Sequence, residues 1–259
     1  MIVTGASSGI GRATARLLAS KGAHVFAAAR SKGALEELAE AQPGITPVVA
    51  DVADDEERAA LVGAVGDVDV LVNNAGIGWS GLVEEMPAEQ VRMLFEVNVL
   101  GLIDLTQRVL PGMLARKRGH IVNVASVAGY VSAPPISVYS ASKFAVLGFS
   151  DGLRREVSGR GVAVTCVNPG PVSTKFSARA GLVDASVLST EVPATRMGGV
   201  PAWTVARAVA RAVRMGGLPG YGTITVPRAL GLARLGAVPV LQLTVDGVTL
   251  VSRRSARRH

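Results

Sequence analysis

The sequence predicts an α/β fold, a doubly wound parallel sheet of seven strands with helices on both faces. Short segments rich in Val, Ile and Thr alternate along the chain with longer segments of helical periodicity, and several of the short segments are apolar on both faces. Strands that are apolar on both faces are typical of parallel sheets, and the alternating helices supply the crossovers that such sheets need. With 259 residues, 49% of them hydrophobic, the chain suits a single domain, 1–259.

Seven strands and six helices are predicted along the chain. The strands are Met1–Thr4, His24–Ala29, Thr46–Ala50, Val68–Val72, His120–Ala125, Val162–Asn168 and Gly222–Val226. The helices are Ile10–Lys21, Ala34–Ala41, Asp55–Val65, Ala88–Arg116, Val138–Val157 and Ala202–Met215. Two regions lack this alternation of strand and helix. Residues 173–200 are interpreted as a substrate flap, and residues 228–259 as an apolar C-terminal extension that ends in a basic tail.

Positive charge is concentrated at the C-terminus. The net charge is +7, and Arg253, Arg254, Arg257 and Arg258 carry four of these charges, which leaves +3 for the rest. With only 4% aromatic residues, the chain lacks the continuous basic face and the stacking platform of a nucleic-acid-binding protein. We favour a solvated tail over an arm that binds phosphate or lipid. Membrane contact stays the less favoured alternative, because no run is long and apolar enough to span a bilayer.

Cysteine usage indicates the compartment. Cys166 is the only cysteine in the sequence, so no disulfide can form within the chain, which fits a reducing cytoplasm. Its apolar neighbours favour a small buried residue over a reactive thiol. Met1-Ile2-Val3 leads directly into a glycine-rich turn without the leader of a secreted protein, and no metal site is predicted.

The glycine-rich turn after the first strand predicts a nucleotide site. Glycines let the backbone approach a pyrophosphate, and the helix that follows offers free N–H groups and the positive end of its dipole. A tight strand-to-helix connection could use the same residues, but the strand–turn–helix setting favours a Rossmann-type dinucleotide site. The residues expected to contact the cofactor here are Gly5, Ser7, Ser8, Gly9, Ile10 and Gly11.

The ends of the second and third strands bear on the choice of cofactor. Dinucleotide-binding folds read the adenosine ribose at the end of the second strand, where this chain has Ala29 and Arg30 and no acid. Arg30 can pair with a 2′-phosphate, which favours NADP(H) and leaves NAD(H) as the alternative; an ordinary exposed arginine is the competing interpretation. Asp51 and Val52 end the third strand and are expected to contact the cofactor. The Asp51 carboxylate could accept from the adenine amino group or cap the next helix.

Four residues are candidates for catalysis. Tyr139 and Lys143 are four residues apart at the start of a predicted helix, so their side chains share one face. A free tyrosine has a pKa of about 10, and a neighbouring ammonium group is expected to lower the pKa of Tyr139. Ser126 ends the fifth strand and could hydrogen-bond the substrate oxygen. Asn98, inside a long predicted helix, is either a satisfied buried amide or the holder of a water that relays protons from Lys143.

These motifs in this order resemble the short-chain dehydrogenase/reductase family from Met1 to about Val226. The glycine turn matches the family's Thr-Gly-x-x-x-Gly-x-Gly, residues 73–76 match its Asn-Asn-Ala-Gly, and Tyr139 with Lys143 match its Tyr-x-x-x-Lys. Residues 168–174 look like the segment that packs on the nicotinamide amide. The resemblance implies that Asn98, Ser126, Tyr139 and Lys143 are catalytic, and it adds as cofactor contacts Asn74, Ala75, Gly76, Tyr139, Lys143, Pro169, Gly170, Val172 and Thr174.

The resemblance also implies an activity, and the positions at which this sequence departs from the family pattern restrict the expected cofactor and substrate. The expected reaction interconverts a carbonyl and an alcohol, here on a lipophilic ketone, aldehyde or acyl substrate, in a homodimer or homotetramer. Ser8 stands where many NADP members have a basic residue, so NADP(H) depends mainly on Arg30. Residues 223–227 lack the Asp-Gly-Gly ending of many ketoacyl-carrier-protein reductases, which disfavours that role. The first strand is also short.

Two rival functions use the same fold. One is a non-catalytic nucleotide sensor, which would need the glycine turn and Arg30 but not all four catalytic candidates. The other is a membrane-peripheral reductase acting on lipids. Because an exposed segment as apolar as the extension would form an unusually large patch, we expect it to pack at the substrate cleft or an oligomer interface. Trp79 and the flap are expected to line the substrate pocket.

Overall fold

Strands and helices alternate through the residues that the computed structural model describes, 1–173, 199–215, 222–228 and 230–231. The strands are β1 (Ile2–Thr4), β2 (Val25–Ala29), β3 (Ile45–Val49), β4 (Val70–Asn73), β5 (Gly119–Val124), β6 (Val162–Pro169), β7 (Val172–Ser173), β8 (Val200–Pro201) and β9 (Thr223–Val226). The helices are α1 (Gly9–Ala19), α2 (Lys32–Ala41), α3 (Asp55–Val65), α4 (Ala88–Phe95), α5 (Gly101–Ala115), α6 (Ser137–Glu156) and α7 (Ala202–Met215). Each predicted strand is therefore found within two residues of its predicted bounds.

Seven of these strands form one parallel sheet in the order β3-β2-β1-β4-β5-β6-β9. The chain starts at the centre, where Val3 pairs with Ala27 of β2 and with Val72 of β4. It winds outward to β3 and then returns to continue on the other side from β4 to β9. The predicted doubly wound, seven-stranded sheet is confirmed. The order reverses between β1 and β4, and open sheets of this kind bind ligands at the carboxyl ends of the strands beside that point.

Helices cover both faces of the sheet because successive side chains of each strand point to opposite faces. On one face, Val3 and Val72 pack with apolar residues of α1, α2 and α7. On the other face, Ile2 and Leu71 pack with apolar residues of α3, α5 and α6. All three residues of β1 are buried, so the short first strand still lies in the core.

The predicted helix 88–116 is interrupted in the structure. Helix α4 ends at Phe95, the segment Glu96–Leu100 is π-helical, and α5 begins at Gly101. A Cβ atom on Gly101 would lie 2.2 Å from the carbonyl oxygen of Val52, so glycine permits the close approach of this helix to the loop after β3. The π-helical segment places Asn98 in the site described below, and such bulges are frequent at functional sites.

The ends of the predicted flap are held together by a small second sheet. Strand β7 pairs with β8 in parallel, with Val172 opposite Val200. Residues 174–198 of the flap, including Thr174, lie outside the described residues, as does the extension after residue 231. In the part of the chain that is described, no helix is long and apolar enough to cross a membrane, and no cluster of metal-ligating side chains is found.

Candidate active site

The glycine turn lies between β1 and α1, at the carboxyl edge of the sheet. Gly5 and Gly9 have φ angles of 65° and 54°, in the region that favours glycine. Ser8 precedes α1 in an extended conformation, and its side chain forms no capping hydrogen bond to the helix. The first turn of α1 contains no acidic residue. The N-terminus of α1 therefore has neither a side-chain cap nor an acidic residue beside it, an arrangement that suits a phosphate group.

Close packing explains the third glycine of the turn. A Cβ atom on Gly11 would lie 2.3 Å from the carbonyl oxygen of Gly5 and 2.5 Å from Nδ2 of Asn74. Ile10 packs partly buried against the core, while Ser7 lies partly exposed in the turn. The turn residues predicted from the sequence thus lie together.

Asn74 and Ala75 fasten the end of β4 to the end of β1. The backbone N–H groups of Asn74 and Ala75 donate to Oγ1 of Thr4 at 3.0 and 2.9 Å. The Asn74 side chain donates to the carbonyl oxygen of Thr4 at 2.9 Å. A Cβ atom on Gly5 would lie 2.9 Å from Cα of Ala75. These contacts hold residues 74–76 beside the glycine turn, where the strand order reverses.

Arg30 and Asp51 lie at neighbouring strand ends and form an ion pair. Nη1 of Arg30 is 3.4 Å from Oδ2 of Asp51, and the Arg30 side chain is 67% exposed. The other oxygen of Asp51 accepts from the N–H of Ala53 at 3.0 Å. Asp51 does not cap α3: the side chain of Asp54 does, by accepting from the N–H of Glu57 at 2.9 Å. Of the two interpretations of Asp51, the helix cap is therefore wrong.

A buried arginine that the sequence analysis missed holds the loop after β3. Arg58 is 6% exposed, and its Nη1 donates to the carbonyl oxygen of Val52 at 2.8 Å. Its Nε donates to Oδ2 of Asp104 at 2.6 Å, and the same carboxylate accepts from Arg108. Burial alone would raise the pKa of Asp104, but the hydrogen bonds from Arg108 and Arg58 outweigh it and lower this pKa. The sequence contained one indication of this burial: Arg58 lies on the apolar side of α3, three positions before Leu61.

We expect Asp104→Asn to lower the free energy of unfolding at neutral pH by about 2 kcal/mol. It removes the carboxylate that binds both Arg58 and Arg108, and it leaves the buried Arg58 only its longer ion pairs with Asp55 and Glu96. A lowered carboxyl pKa stabilises the fold above the unfolded pKa of about 4 and loses this contribution as the pH falls through the folded value. The difference between wild type and variant should therefore shrink below about pH 4. Denaturant unfolding at several pH values measures it.

Asp67→Asn is the matched control for this prediction. Asp67 also pairs with an arginine, Arg116, but its side chain is 81% exposed. An exposed pair contributes at most about 1 kcal/mol. If the two variants lose the same stability at neutral pH, the Arg58 network has no special role.

Tyr139 and Lys143 lie on one face of α6, at its first two turns, and both are buried. Nζ of Lys143 is 5.7 Å from the centre of the Tyr139 ring and donates to the carbonyl oxygen of Val124 at 3.3 Å. Ser126, just beyond β5, forms a hydrogen bond with the Tyr139 side chain. The structure therefore brings three of the predicted catalytic side chains together.

Burial controls the protonation of both groups. Burial raises the pKa of Tyr139 to about 12, and the hydrogen bond with Ser126 acts in the opposite direction. Burial lowers the pKa of Lys143 to about 8. The expectation that Lys143 lowers the pKa of Tyr139 is wrong for the protein alone, because desolvation of the phenolate dominates. At neutral pH, Tyr139 carries its proton and Lys143 is mostly an ammonium ion.

Asn98 is held in the π-helical segment by three hydrogen bonds. Its Oδ1 accepts from the N–H of Ile77 at 2.8 Å, and its Nδ2 donates to the carbonyl oxygen of Ile77 at 2.9 Å and to Oγ of Ser142 at 3.1 Å. A Cβ atom on Gly76 would lie 3.1 Å from Oδ1 of Asn98 and 3.6 Å from Nζ of Lys143. Glycine at position 76 thus lets the backbone lie close to both the amide of Asn98 and the ammonium group of Lys143.

The end of β6 and the residue after it are tied to neighbouring segments. Nδ2 of Asn168 donates to the hydroxyl of Tyr130 at 2.8 Å, and the N–H of Gly170 donates to the carbonyl oxygen of Val226 at 2.7 Å. A Cβ atom on Gly170 would lie 2.8 Å from Cδ1 of Leu230. The first residues of the C-terminal extension therefore pack beside Pro169 and Gly170. The rest of that prediction lies outside the described residues.

Two further groups of residues support the site. Nδ2 of Asn73 donates to Oδ1 of Asn123 at 3.0 Å, and Nδ2 of Asn123 donates to Oγ of Ser150 at 2.9 Å, which ties β4 to β5 and α6. In the sequence, these contacts were indicated only by an asparagine within each of two otherwise apolar strands, Asn73 in β4 and Asn123 in β5. Trp79 packs in an apolar cluster with Tyr139.

Comparison with known proteins decides the family. The model of the short chain dehydrogenase family matches residues 1–182, which is more than half of the chain. The chain belongs to the short-chain dehydrogenase/reductase family. This short-chain dehydrogenase is 38% identical over 198 residues to the mouse (Mus musculus) protein dehydrogenase/reductase SDR family member 7B, covering 72% of its own chain and 61% of the mouse protein. It thus spans about three fifths of that relative's length.

Solved structures of the family have the same fold. A closed form of serine dehydrogenase complexed with NADP⁺ is 29% identical, with a TM-score of 0.76 over 86% of this chain and 92% of that one. A short-chain dehydrogenase/reductase from Burkholderia phymatum in complex with NAD is 29% identical, with a TM-score of 0.79 over 93% of this chain and 94% of that one. The first of these neighbours therefore holds NADP⁺ and the second holds NAD.

Proposed function

We propose that this short-chain dehydrogenase interconverts a carbonyl and an alcohol with NADP(H), using Tyr139 as general acid and base. The observation that carries the proposal is the group formed by the partly buried Ser126 and the buried Asn98, Tyr139 and Lys143, which lies at the same sheet edge as the glycine turn. The non-catalytic sensor would need the turn but not this group. The test is oxidation of NADPH by the purified protein with a panel of lipophilic ketones, aldehydes and acyl thioesters; no turnover with any of them, despite cofactor binding, would favour the sensor.

The residues present fit a dinucleotide at this edge. The N-terminus of α1 and the glycine turn would hold the pyrophosphate, Arg30 and Asp51 would lie beside the adenosine half, and Asn74–Gly76 would lie along its course. Lys143 would donate to the ribose hydroxyls of the nicotinamide half, and Pro169, Gly170 and Val172 would pack on the nicotinamide. When bound, the nicotinamide supplies or accepts the hydride.

Side chains of the protein transfer the proton in the proposed reaction. In reduction, the hydroxyls of Tyr139 and Ser126 donate hydrogen bonds to the carbonyl oxygen, and the proton of Tyr139 passes to that oxygen as it becomes an alkoxide. The raised pKa of Tyr139 keeps this proton in place at neutral pH until the substrate develops charge. Asn98 would hold a water beside Gly76, through which Lys143 would restore the proton. Oxidation runs through the same steps in reverse.

Arg30 supports the preference for NADP(H). Its guanidinium group is largely exposed and paired with Asp51 at a distance of 3.4 Å, and an exposed pair of this kind contributes at most about 1 kcal/mol. A 2′-phosphate, with two negative charges and several acceptor oxygens, can therefore recruit the guanidinium group from Asp51 or bind alongside it.

We expect Arg30→Ala to weaken NADPH binding by about tenfold to a hundredfold and to change NADH binding little, since only NADPH presents the 2′-phosphate. Dissociation constants for both cofactors, measured by titration of wild type and variant, give the result. Arg16→Ala is the control, because Arg16 is an exposed arginine on α1 away from the strand ends. Equal losses for the two cofactors would assign Arg30 to general structure, and a wild-type preference for NADH would contradict NADP(H).

An apolar wall beside Tyr139 supports a lipophilic substrate. The cluster around this residue includes Met86 and Leu94, which are buried, together with the partly buried Trp79, Ile136 and Val138. Such a wall suits the hydrocarbon part of a ketone or aldehyde better than a charged one. We further propose the cytoplasm as the compartment, since the chain's one cysteine, Cys166, is buried and free.

A homo-oligomer is the proposed assembly, and exposed apolar side chains support it. Met93 on α4, Leu100 in the π-helical segment and Phe144 on α6 are 46%, 50% and 45% exposed, although these elements pack against each other. We expect Phe144→Glu to reduce the molecular mass in solution, measured by light scattering, because a buried charge destabilises an apolar interface. Val49→Glu, at an exposed valine of β3, is the control. A wild type that is already monomeric would contradict the assembly.

A further inference from the structure

The basic character of this protein belongs to its last quarter. Residues 199–259 contain nine arginines and one acidic residue, Asp246, so they carry +8. Since the whole chain carries +7, residues 1–198 carry −1. The four arginines of the tail account for only half of this excess. The others need a structural explanation, because such an asymmetry is typical of proteins that meet an anionic surface.

Helix α7 presents a single exposed basic stripe. Residues 203, 207, 211 and 214 are exposed, and their spacing of four, four and three places them on one side of the helix. They are Trp203, Arg207, Arg211 and Arg214. The opposite side is buried and packs on α1 through Val205 and Val209. No acidic residue occurs in α7, so nothing on the helix itself neutralises the stripe.

The stripe borders a groove along the edge strand β9. Trp203, Arg207 and Arg211 line one side, and residues 223–228 line the other, where the exposed Arg228 follows β9. The guanidinium carbon of Arg207 is 5.6 Å from the centre of the Trp203 ring, a cation–π contact that leaves its charge in place. We call Trp203, Arg207, Arg211, Arg214 and Arg228 the α7 basic face.

The arginines of the α7 basic face differ from most of the arginines in residues 1–173. Seven of those eleven arginines form salt bridges with carboxylates. Within the described ranges, no carboxylate lies within salt-bridge distance of the four arginines of the α7 basic face. A cluster of unneutralised guanidinium groups repels itself, and an anionic partner relieves that repulsion.

We propose that the α7 basic face docks on a membrane surface that carries anionic lipid headgroups. A second copy of this chain is a poor partner, since two such faces would repel each other. A nucleic acid is also disfavoured, since one tryptophan provides no stacking platform. A bilayer accounts for the indole as well, because tryptophan prefers the membrane interface, where its ring meets the headgroups.

The sequence that follows the groove fits the same surface. Residues 235–250 contain Asp246 as their only charged residue, and the four tail arginines follow at positions 253–258. An apolar segment beside clustered arginines is the composition of peripheral membrane anchors, which need two weak signals to bind stably. The sequence alone favours a solvated tail, but the α7 basic face adds a second cationic group on the folded domain.

The test is co-sedimentation of the full-length protein with vesicles of phosphatidylcholine, with and without phosphatidylserine. We expect binding only when phosphatidylserine is present, and weaker binding as salt is raised. The triple variant Arg207→Gln, Arg211→Gln, Arg214→Gln should lower the partition coefficient about a hundredfold, since each surface cation contributes about fivefold. NADPH binding by the same variant should not change, because these residues are not part of the proposed cofactor site.

Two full-length control variants make the test specific. The first removes three exposed cations elsewhere, by Lys21→Gln, Arg155→Gln and Arg160→Gln, and should keep most of the vesicle binding. The second replaces the four tail arginines with glutamine and should weaken binding without abolishing it. The proposal is overturned if the wild type does not bind phosphatidylserine vesicles or binds pure phosphatidylcholine vesicles equally well. It is overturned too if the tail variant by itself abolishes vesicle binding. It is also overturned if the two triple variants behave alike.

Discussion

Replacing Tyr139 with phenylalanine is expected to lower kcat by about 10² to 10⁴-fold, the usual contribution of a general acid or base. The variant keeps the ring, and thereby the packing of Tyr139 with Trp79 and its neighbours, but it removes the transferable proton. Cofactor dissociation constants should change little, since the hydroxyl faces the substrate oxygen in the proposed mechanism. Steady-state kinetics with the best substrate of the panel, together with cofactor titration, measure both quantities.

Tyr130→Phe is the matched control for this substitution. Tyr130 is as buried as Tyr139, and its hydroxyl accepts a hydrogen bond from Asn168. Losing that hydroxyl should lower the free energy of unfolding by about 1 kcal/mol and leave kcat within a few-fold of wild type. Near-normal turnover by Tyr139→Phe would sink the proposed mechanism, and equal losses in the two variants would attribute the effect to packing.

Gly11→Ala should prevent dinucleotide binding and lower the free energy of unfolding by several kcal/mol, a loss in the range of severe core overpacking. The added Cβ would lie 2.3 Å from the carbonyl oxygen of Gly5 and 2.5 Å from Nδ2 of Asn74. The first contact is with backbone, so the glycine turn or α1 must move, and with it the N–H groups proposed to meet the pyrophosphate. Denaturant unfolding and cofactor titration are the measurements.

Gly63→Ala provides the corresponding control in α3. A Cβ atom at position 63 would meet no other atom within 4 Å, and the residue is exposed. Alanine has the higher helix propensity, so this variant should be more stable by about 0.5–1 kcal/mol and bind the cofactor normally. If Gly11→Ala binds the cofactor with wild-type affinity, the close packing of the turn does not serve the nucleotide site.

Local patterns predicted most of the fold and much of the site. Runs such as Val162–Asn168 and periodic helices such as Ala202–Met215 depend on neighbouring residues, so they could be recognised without tertiary contacts. The spacing of Tyr139 and Lys143 on one helix face is equally local. The order of the strand ends then placed Ser126 and the glycine turn at one sheet edge, because parallel strands direct their carboxyl ends the same way.

Contacts between distant segments explain what the sequence analysis did not predict. The break in the predicted helix 88–116 occurs where Asn98 binds the backbone of Ile77, and Arg58 is buried because Asp104 lies opposite on α5. The competing roles of Asp51 were separated only when Asp54 proved to cap α3. In each case the partner is chosen by the packing of another element, which spacing along one segment does not encode.

The sequence by itself determined the fold class, the family motifs and the identity of the candidate catalytic residues, because these depend on residue type, order and local spacing. The tertiary structure alone decided how these residues are charged and what surrounds them. Burial, which is a property of the whole fold, raises the pKa of Tyr139 to about 12 and lowers that of Lys143 to about 8. The fold likewise exposed the arginines of α7 on one face while it paired others, such as Arg58 and Arg108, with carboxylates of neighbouring elements, since ion pairs form only between side chains that packing brings within reach.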